Sequence, residues 1–326
     1  MMVNPYKLHL MRIFMLFALI LLLQACAPPA PGFWKNDKIS SGKRDDFHDL
    51  NKQLFAAILS GHEKEVELLL SAELLASNYN ADKAAYYLKS AEYSLRDEYY
   101  IVNKDKSHQH PKADAQYYLD YTSEAKEMYL AFFLPKGGTD QQMITVLYSK
   151  YSYGWRVSQI EIAPYTINGK TAPQLYQQAK ADYNKGYFIN AVTTMELAVK
   201  CLRPAEMWQW VEEDSISTFY TKTMDAANQL YHFPVTVDGV PTRPGIFRVL
   251  NQNIAEGTYP AIYYRSKIDL KDTAALRKEN NAVKKVIEHV FPGITKNNKY
   301  LLYSAFNQLP AGGRYVKSYD VTDRLQ

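Results

Sequence analysis

The stretch MYLAFFLPKGGTDQQMITVLYSKYSYGWRVSQIEIA, residues 128–163, decides the fold. Met128, Leu130, Phe132 and Leu134 recur at every second position, the period of a strand with one face on a core. Lys136-Gly137-Gly138 supplies a turn, a second strand reads over 143–150, and Tyr153-Gly154 turns the chain into a third over 153–163. Three strands joined by short turns form an antiparallel meander. Within the last strand the apolar parity switches, from Trp155 and Val157 to Ile160 and Ile162. The slip predicts a β-bulge near Ser158, which would bend the sheet.

Two further segments upstream, 98–103 and 116–121, also read as strands, while residues 46–96 read as three helices. Asp46 caps the first, with Leu50, Leu54, Phe55, Ile58 and Leu59 at helical spacing, and Gly61 ends it. The second sets Val66, Leu69, Leu70 and Leu74 against Glu63, Lys64, Glu67 and Glu73, and the third aligns Ala84, Leu88, Ala91 and Leu95. Helices followed by a meander define an α+β domain over 46–169, its sheet curved over the helices. That order of elements resembles cystatin-like and nuclear-transport-factor-like domains.

Residues 170–232 are helical again. LYQQAKADYNKGYFINAVTTMELAVKCLRP, residues 175–204, places Ala179, Gly186, Ala191 and Ala198 between the large side chains Leu175, Phe188 and Met195. The segment resembles one tetratricopeptide repeat, although Pro204 comes one residue late and no adjacent copy exists. The resemblance implies a tight helical hairpin, docking between domains and too short to form a peptide-binding superhelix. A further helix is expected within 205–231, with Trp208, Val211, Ile216, Phe219 and Leu230 as its apolar positions. The remainder, 233–326, reads as a second α+β domain. Its strands fall at 235–237, 246–251 and 261–268, its helix at 273–290, and a final hairpin pairs 300–308 with 315–321 across Gly312-Gly313. Helix plus sheet thus occurs twice, which admits an old duplication.

At the other end of the chain, eleven apolar residues, 13–23, follow Lys7 and Arg12. A spanning helix needs roughly 20 such residues, whereas a basic flank and a short apolar core describe a secretory signal peptide. Met1, Met2 or Met11 can each begin such a signal. Leu23-Gln24-Ala25-Cys26 resembles the lipobox of bacterial lipoproteins, with Gln24 where small or β-branched residues are commoner. The resemblance implies a cut between Ala25 and Cys26, diacylglycerol on the Cys26 sulfur and acylation of the new amine. Two or three acyl chains hold a protein essentially permanently at a membrane, each buried methylene contributing ~0.8 kcal/mol. Ala27 follows the cysteine, and by resemblance to the sorting rule of enteric bacteria this implies the periplasmic face of the outer membrane. Prolines 28, 29 and 31 then favour an extended tether, drawn over 26–45.

Loss of Lys7 and Arg12 with the first 25 residues takes the net charge from +4 to +2, without the cationic footprint of a nucleic-acid binder. Besides Cys26 there is only Cys201, on the inner face of the hairpin and expected as a buried thiol. Tyrosine is abundant, 27 residues, with doublets at Tyr86-Tyr87, Tyr99-Tyr100, Tyr117-Tyr118 and Tyr263-Tyr264. The rings suit half-buried strands; aromatic platforms for sugars or partner chains are the functional alternative. No phosphate loop, His-Glu-x-x-His or Gly-x-Ser-x-Gly elbow occurs. Asp105, His108, His110 and Asp114 form the one candidate metal set, imidazoles two apart in a polar loop. Glu212-Glu213-Asp214 reads as a solvated helix face, because successive helical residues diverge by about 100°. No cofactor is expected beyond the lipid on Cys26. The combination points to a lipid-anchored envelope protein that binds an envelope protein or glycan. The alternative is a periplasmic enzyme, hydrolase-like, with a pocket lined by Tyr and His.

Overall fold

The structure, a computed structural model, describes residues 29–77, 79, 81–310 and 316–325. The signal segment with Ala25 and Cys26, and Gly312-Gly313, lie outside them. The fold is α+β, as expected.

The chain is folded from strand β1 (Gly32–Lys35) onward, inside the stretch expected as tether. Phe33 and Trp34 explain the difference: on opposite faces of β1, their rings lie 5.1 Å from Tyr99 and 5.4 Å from Tyr100. Helix α1 (Ser41–Ser60) begins ahead of Asp46 and ends at Gly61, whose φ of 72° is the left-handed conformation glycine adopts without strain. Where a second helix was expected, two short ones form, α2 (Glu63–Glu67) and α3 (Ala72–Ala76). Backbone pairing divides them: Val157 N–H donates to Leu69 O (2.9 Å) and Ser71 N–H to Val157 O (2.8 Å). Helix α4 (Asp82–Ser90) stops before Leu95, which belongs instead to strand β2 (Tyr93–Val102).

Between β2 and the meander run the short strands β3 (His108–Gln109), β4 (Tyr117–Leu119) and β5 (Tyr121–Thr122). The meander is β6 (Glu127–Pro135), β7 (Gln142–Tyr151) and β8 (Gly154–Pro164). Sheet 1 is antiparallel throughout, in the order β1-β2-β6-β7-β8. Leu147 faces Gln159 and Tyr148 faces Val157, so Ser158 is the bulged residue at the expected place. A second bulge leaves Arg96 unpaired between Leu95 and Asp97. One face of the sheet, with Tyr100, Tyr129, Phe133, Val146 and Tyr148, packs on Phe47, Leu54, Ile58 and Ala84 of the helices.

The opposite face, with Tyr99, Leu130, Phe132 and Met143, is covered by the hairpin of α5 (Ala172–Asn184) and α6 (Phe188–Lys200). Thr171 caps α5 in a reciprocal pair with Gln174, and Gly186, at φ 78°, makes the turn. Ala179, Ala191 and Ala198 are fully buried at the small-residue positions of the repeat-like pattern. The helix expected over 205–231 starts late. Residues 208–210 form strand β9 (Trp208–Trp210), paired antiparallel with β4, because two tryptophans flanking Gln209 bury both indoles in an alternating strand. Strand β4 therefore lies in this ribbon and outside the meander. Helix α7 (Glu213–Leu230) follows; its Ile216 is buried, whereas Val211, just before it, and Leu230 are exposed.

The C-terminal part contributes β10 (Val235–Thr236), β11 (Gly245–Ile254), β12 (Gly257–Arg265), helix α8 (Thr273–Val290), β13 (Tyr300–Phe306) and β14 (Tyr319–Arg324). Helix α8 keeps the bounds its periodicity predicts, with Asp272 accepting from Ala275 N–H. In sheet 2, β12 and β13 run parallel across the α8 crossover and the other pairs are antiparallel. An all-antiparallel meander and a sheet with a crossover have different topologies, so the two halves are not copies of one plan. Helix α6 also reaches sheet 2. Asn251 donates to Thr193 O (2.8 Å) and Glu196 Oε2 (2.7 Å), which blunts the edge of β11.

Candidate partner-binding face

Tyr99, Tyr100 and Tyr129 of sheet 1 and Tyr117 of β4 are buried more deeply than half-buried strands require, and their hydroxyls find partners inside, whereas the Tyr148 hydroxyl is buried without one among the described residues. Tyr99 and Tyr117 hydroxyls meet at 2.5 Å, and Tyr117 donates to Asp97 Oδ2 at 3.0 Å. Asp97 also takes Asn36 Nδ2 (3.0 Å), Lys35 Nζ (3.1 Å) and Arg96. Burial pushes the Tyr99 hydroxyl up to about 12 and Tyr117 further, so both stay neutral donors. On the opposite face Tyr129 donates to Glu98 Oε2 at 2.9 Å, His48 Nε2 lies 3.1 Å from the same carboxylate, and Asn51 Nδ2 donates to the Tyr129 hydroxyl. Tyr100 donates to Glu127, which also receives Lys150 Nζ at 2.9 Å. Burial opposes ionisation of Glu127, but the bonds from Tyr100 and Lys150 outweigh it and hold its carboxyl below the usual range. These networks are closed on themselves and hold the fold together.

The candidate metal set does not come together. His108 Nε2 lies 3.0 Å from Asp120 Oδ1, while His110 stacks on Tyr118 at 4.6 Å and bonds Gln209 Oε1 at 2.6 Å. Asp114 receives Lys35 Nζ and the N–H of Gln116, and Asp105 receives the Ser107 hydroxyl. Each residue has its own partner because the loop is threaded between two separate ribbons, β3–β5 and β4–β9. Among the described residues no cluster of three or more His, Cys, Asp or Glu is placed to hold a metal. The solvated helix face expected over 212–214 does not hold for Glu213, whose side chain is only 13% exposed and receives Arg203, while Glu212 precedes α7 and receives Gln177 Nε2. Cys201 is fully buried, its Sγ donating to Leu197 O; burial pushes the thiol up to about 12, so it stays protonated.

Sheet 2 differs in that, among the described residues, no helix or second sheet packs on one of its two faces to form an apolar core. Its inner face, Ile246, Ile262, Tyr264, Leu301, Tyr303 and Ala305, packs on Leu276, Val283 and Ile287 of α8 and on Ile189 and Val192 of α6. The registers place on the other face the row Arg248–Tyr263–Ser304–Asp320 and the row Leu250–Ala261–Leu302–Thr322. None of these side chains belongs to any of the three apolar cores. Ala261, Leu302 and Ser304 at the centre of this face are buried, whereas Arg248, Asp320 and Thr322 are exposed and Leu250 and Tyr263 partly so. Aromatic rings stand at both ends. Tyr259 and Tyr300 lie 5.2 Å apart at one, and Phe247, Tyr263 and Phe306 form a triad at 5.2–6.2 Å at the other. Phe247 is the extra residue of a bulge between Ile246 and Arg248, which re-aims its ring toward a hollow of about 730 Å³ beside Arg265 and Leu309.

A smaller hollow of about 390 Å³ lies between β8 and the 203–206 segment, with Tyr79, Lys83, Glu161, Arg203 and Glu206 in its wall. Gln159 Nε2 donates to both Glu161 and Glu206, and Glu206 N–H donates to Glu161 Oε2 at 2.8 Å. Burial and the like charge of Glu206 raise the Glu161 carboxyl above its usual range, against the pull of the Glu206 N–H. Sequence reading missed this pair because its members come from a strand and a loop 45 residues apart.

No family model matches the chain, and no curated protein or solved structure is significantly similar to it.

Proposed function

We propose that the chain is a lipid-anchored protein of the bacterial cell envelope that acts by binding an envelope protein or glycan, with the outer face of sheet 2 as its binding surface. The observation that carries this reading is the outer face of sheet 2, where the half-buried Phe247, Leu250 and Tyr263 lie between the exposed Arg248 and Asp320 and, among the described residues, Leu250 and Tyr263 join no apolar core. Such a rimmed patch is the form of an interaction site. The lipobox-like Leu23-Gln24-Ala25-Cys26 supports the anchor, and no helix among the described residues is long and apolar enough to cross a membrane. Anchoring at the periplasmic face of the outer membrane confines the protein near its partner and lets a modest intrinsic affinity suffice. Two measurements test the reading. Mass spectrometry of the mature N-terminus should find a diacylated Cys26, and Cys26→Ser should leave the precursor uncleaved. Crosslinking in cells should capture the same envelope component from the anchored form and, more weakly, from a form secreted without lipid. An unmodified mature N-terminus sinks the anchor, and failure of both forms to capture a reproducible component sinks the binding role.

One observation favours the alternative, a periplasmic hydrolase: the Glu161–Glu206 pair, in which burial first and the like charge of Glu206 after it raise the Glu161 carboxyl above its usual range. The reading moves the enzyme's site away from His108 and His110. Turnover of a periplasmic substrate abolished by Glu161→Gln, at unchanged stability, would establish it.

A further inference from the structure

We propose that the hollow beside Phe247 binds an acidic saccharide, a sugar chain bearing carboxylates; this rests on the reading of sheet 2 as the binding module. At about 730 Å³ it falls within the ~300–1,000 Å³ of small-ligand sites. Its charges favour an anion. Arg243, Arg265 and Lys267 stand in its wall with one acid, Asp269. Asp269 Oδ1 is taken by the N–H of Lys271 (2.9 Å), and Arg243 pairs with the exposed Asp238 at 2.5 Å. Arg265 and Lys267 form no salt bridge among the described residues. A guanidinium is a planar fork that matches a carboxylate with two parallel bonds.

The remaining wall narrows the class. Phe247, held by the rings of Tyr263 and Phe306, is a flat apolar surface, and Leu309, 52% exposed, stands with Pro234 and Phe247 in the same lining. A pyranose offers both halves of the match, a C–H face for the ring and a carboxylate for the cations, whereas inorganic phosphate offers only charge. An extended peptide adding to the sheet would need a free edge here, and β10 already occupies the edge of β11 at Gly245 and Ile246. The mouth is also preorganised. Asn307 Nδ2 donates to Ile268 O (2.6 Å) and Ser266 O (3.2 Å), its Oδ1 accepts from Leu270 N–H, and Ser266 N–H donates to Phe306 O. These bonds fix the loop that carries Lys267 beside Arg265, so binding orders little new chain.

The test is calorimetric titration of the full chain in detergent with the tetramer of galacturonic acid, beside the neutral tetramer of N-acetylglucosamine and inorganic phosphate. The acidic tetramer should bind at least about tenfold more tightly than either control and weaken with added salt, as a charge-steered contact must. Arg265→Ala and Lys267→Ala should each weaken it about fivefold or more while leaving thermal unfolding in place. The proposal is overturned by no binding of the acidic tetramer, by equal binding of the neutral one, by phosphate binding as tightly, or by variants that bind as the parent does. If the tetramer fails while the in-cell crosslinks of the anchored protein to an envelope component persist, the saccharide falls and the binding role stands; loss of the crosslinks alone has the reverse meaning.

Discussion

Sheets 1 and 2 have five strands each and begin from similar material, strands rich in tyrosine with helices close by. They differ in what lies on their second face. Sheet 1 is closed between α1–α4 on one side and the α5–α6 hairpin with Trp208 on the other. Sheet 2 has α8 and α6 on its inner face, and among the described residues its outer face joins no core. The tyrosines record the difference. Tyr99, Tyr117 and Tyr129 bond buried side chains, whereas Tyr263 keeps company with Phe247 and Phe306 at the rim of a hollow. In sheet 1 the aromatic content serves stability; in sheet 2 Tyr264 and Tyr303 do the same on the inner face, and the proposed binding role falls to the half-buried Phe247 and Tyr263.

Substitutions can break that contrast, and the largest effect should come from the closed sheet. Trp208 is fully buried, stacked on Tyr117 at 3.5 Å and edge-on to Phe132 at 5.2 Å. Trp208→Ala should lower stability by about 3–5 kcal/mol in denaturant unfolding. A loss under about 1 kcal/mol would show that the hairpin does not seal the sheet. Next is Ala191→Leu, which forces a larger side chain into the fully buried seam of α5 and α6 and should cost about 1–3 kcal/mol by overpacking. An unchanged melting temperature would place Ala191 away from a close helix contact and make the repeat resemblance accidental.

A smaller effect sharpens the account through pH. The Glu161 carboxyl is held above its ordinary value of 4.5, chiefly by burial, so the folded state binds its proton more tightly than the unfolded chain does. Its contribution is therefore complete below that ordinary value and lost as pH rises through the raised folded value. Glu161→Gln should flatten the decline of stability above about pH 4.5 that linkage assigns to this group, measured by thermal unfolding at a series of pH values. A steeper decline in the variant would contradict the direction of the shift.

Local pattern made much of sheet 1 legible: alternation located β6–β8, and a parity slip located Ser158. Helical spacing located α8 with its ends. What stayed hidden was non-local. Nothing around Leu69–Ser71 announces that their backbone pairs with Val157, and nothing around Tyr117 announces a partner strand at 208–210. Phe33 and Trp34 looked like tether because prolines precede them, although two large rings so close together were a signal of burial that composition masked. The candidate site was partly legible. The Tyr263-Tyr264 doublet is legible, but which of its faces meets a helix depends on the α8 crossover, and the apolar Phe247 and Leu250 mask the parity slip between the inward Ile246 and Val249.

The central claim, that the outer face of sheet 2 is a binding surface, is tested most directly by a photo-crosslinking residue at Leu250 in the anchored protein in living cells. Tyr86, exposed on α4 beside sheet 1, is the control position. Leu250 is partly exposed and outside every core, so its substitution should shift stability by no more than about 0.5 kcal/mol. The account predicts one discrete adduct from Leu250 that is absent from Tyr86 and suppressed by Tyr263→Ser on the same face. No adduct from Leu250, or the same adduct from both positions, would contradict it.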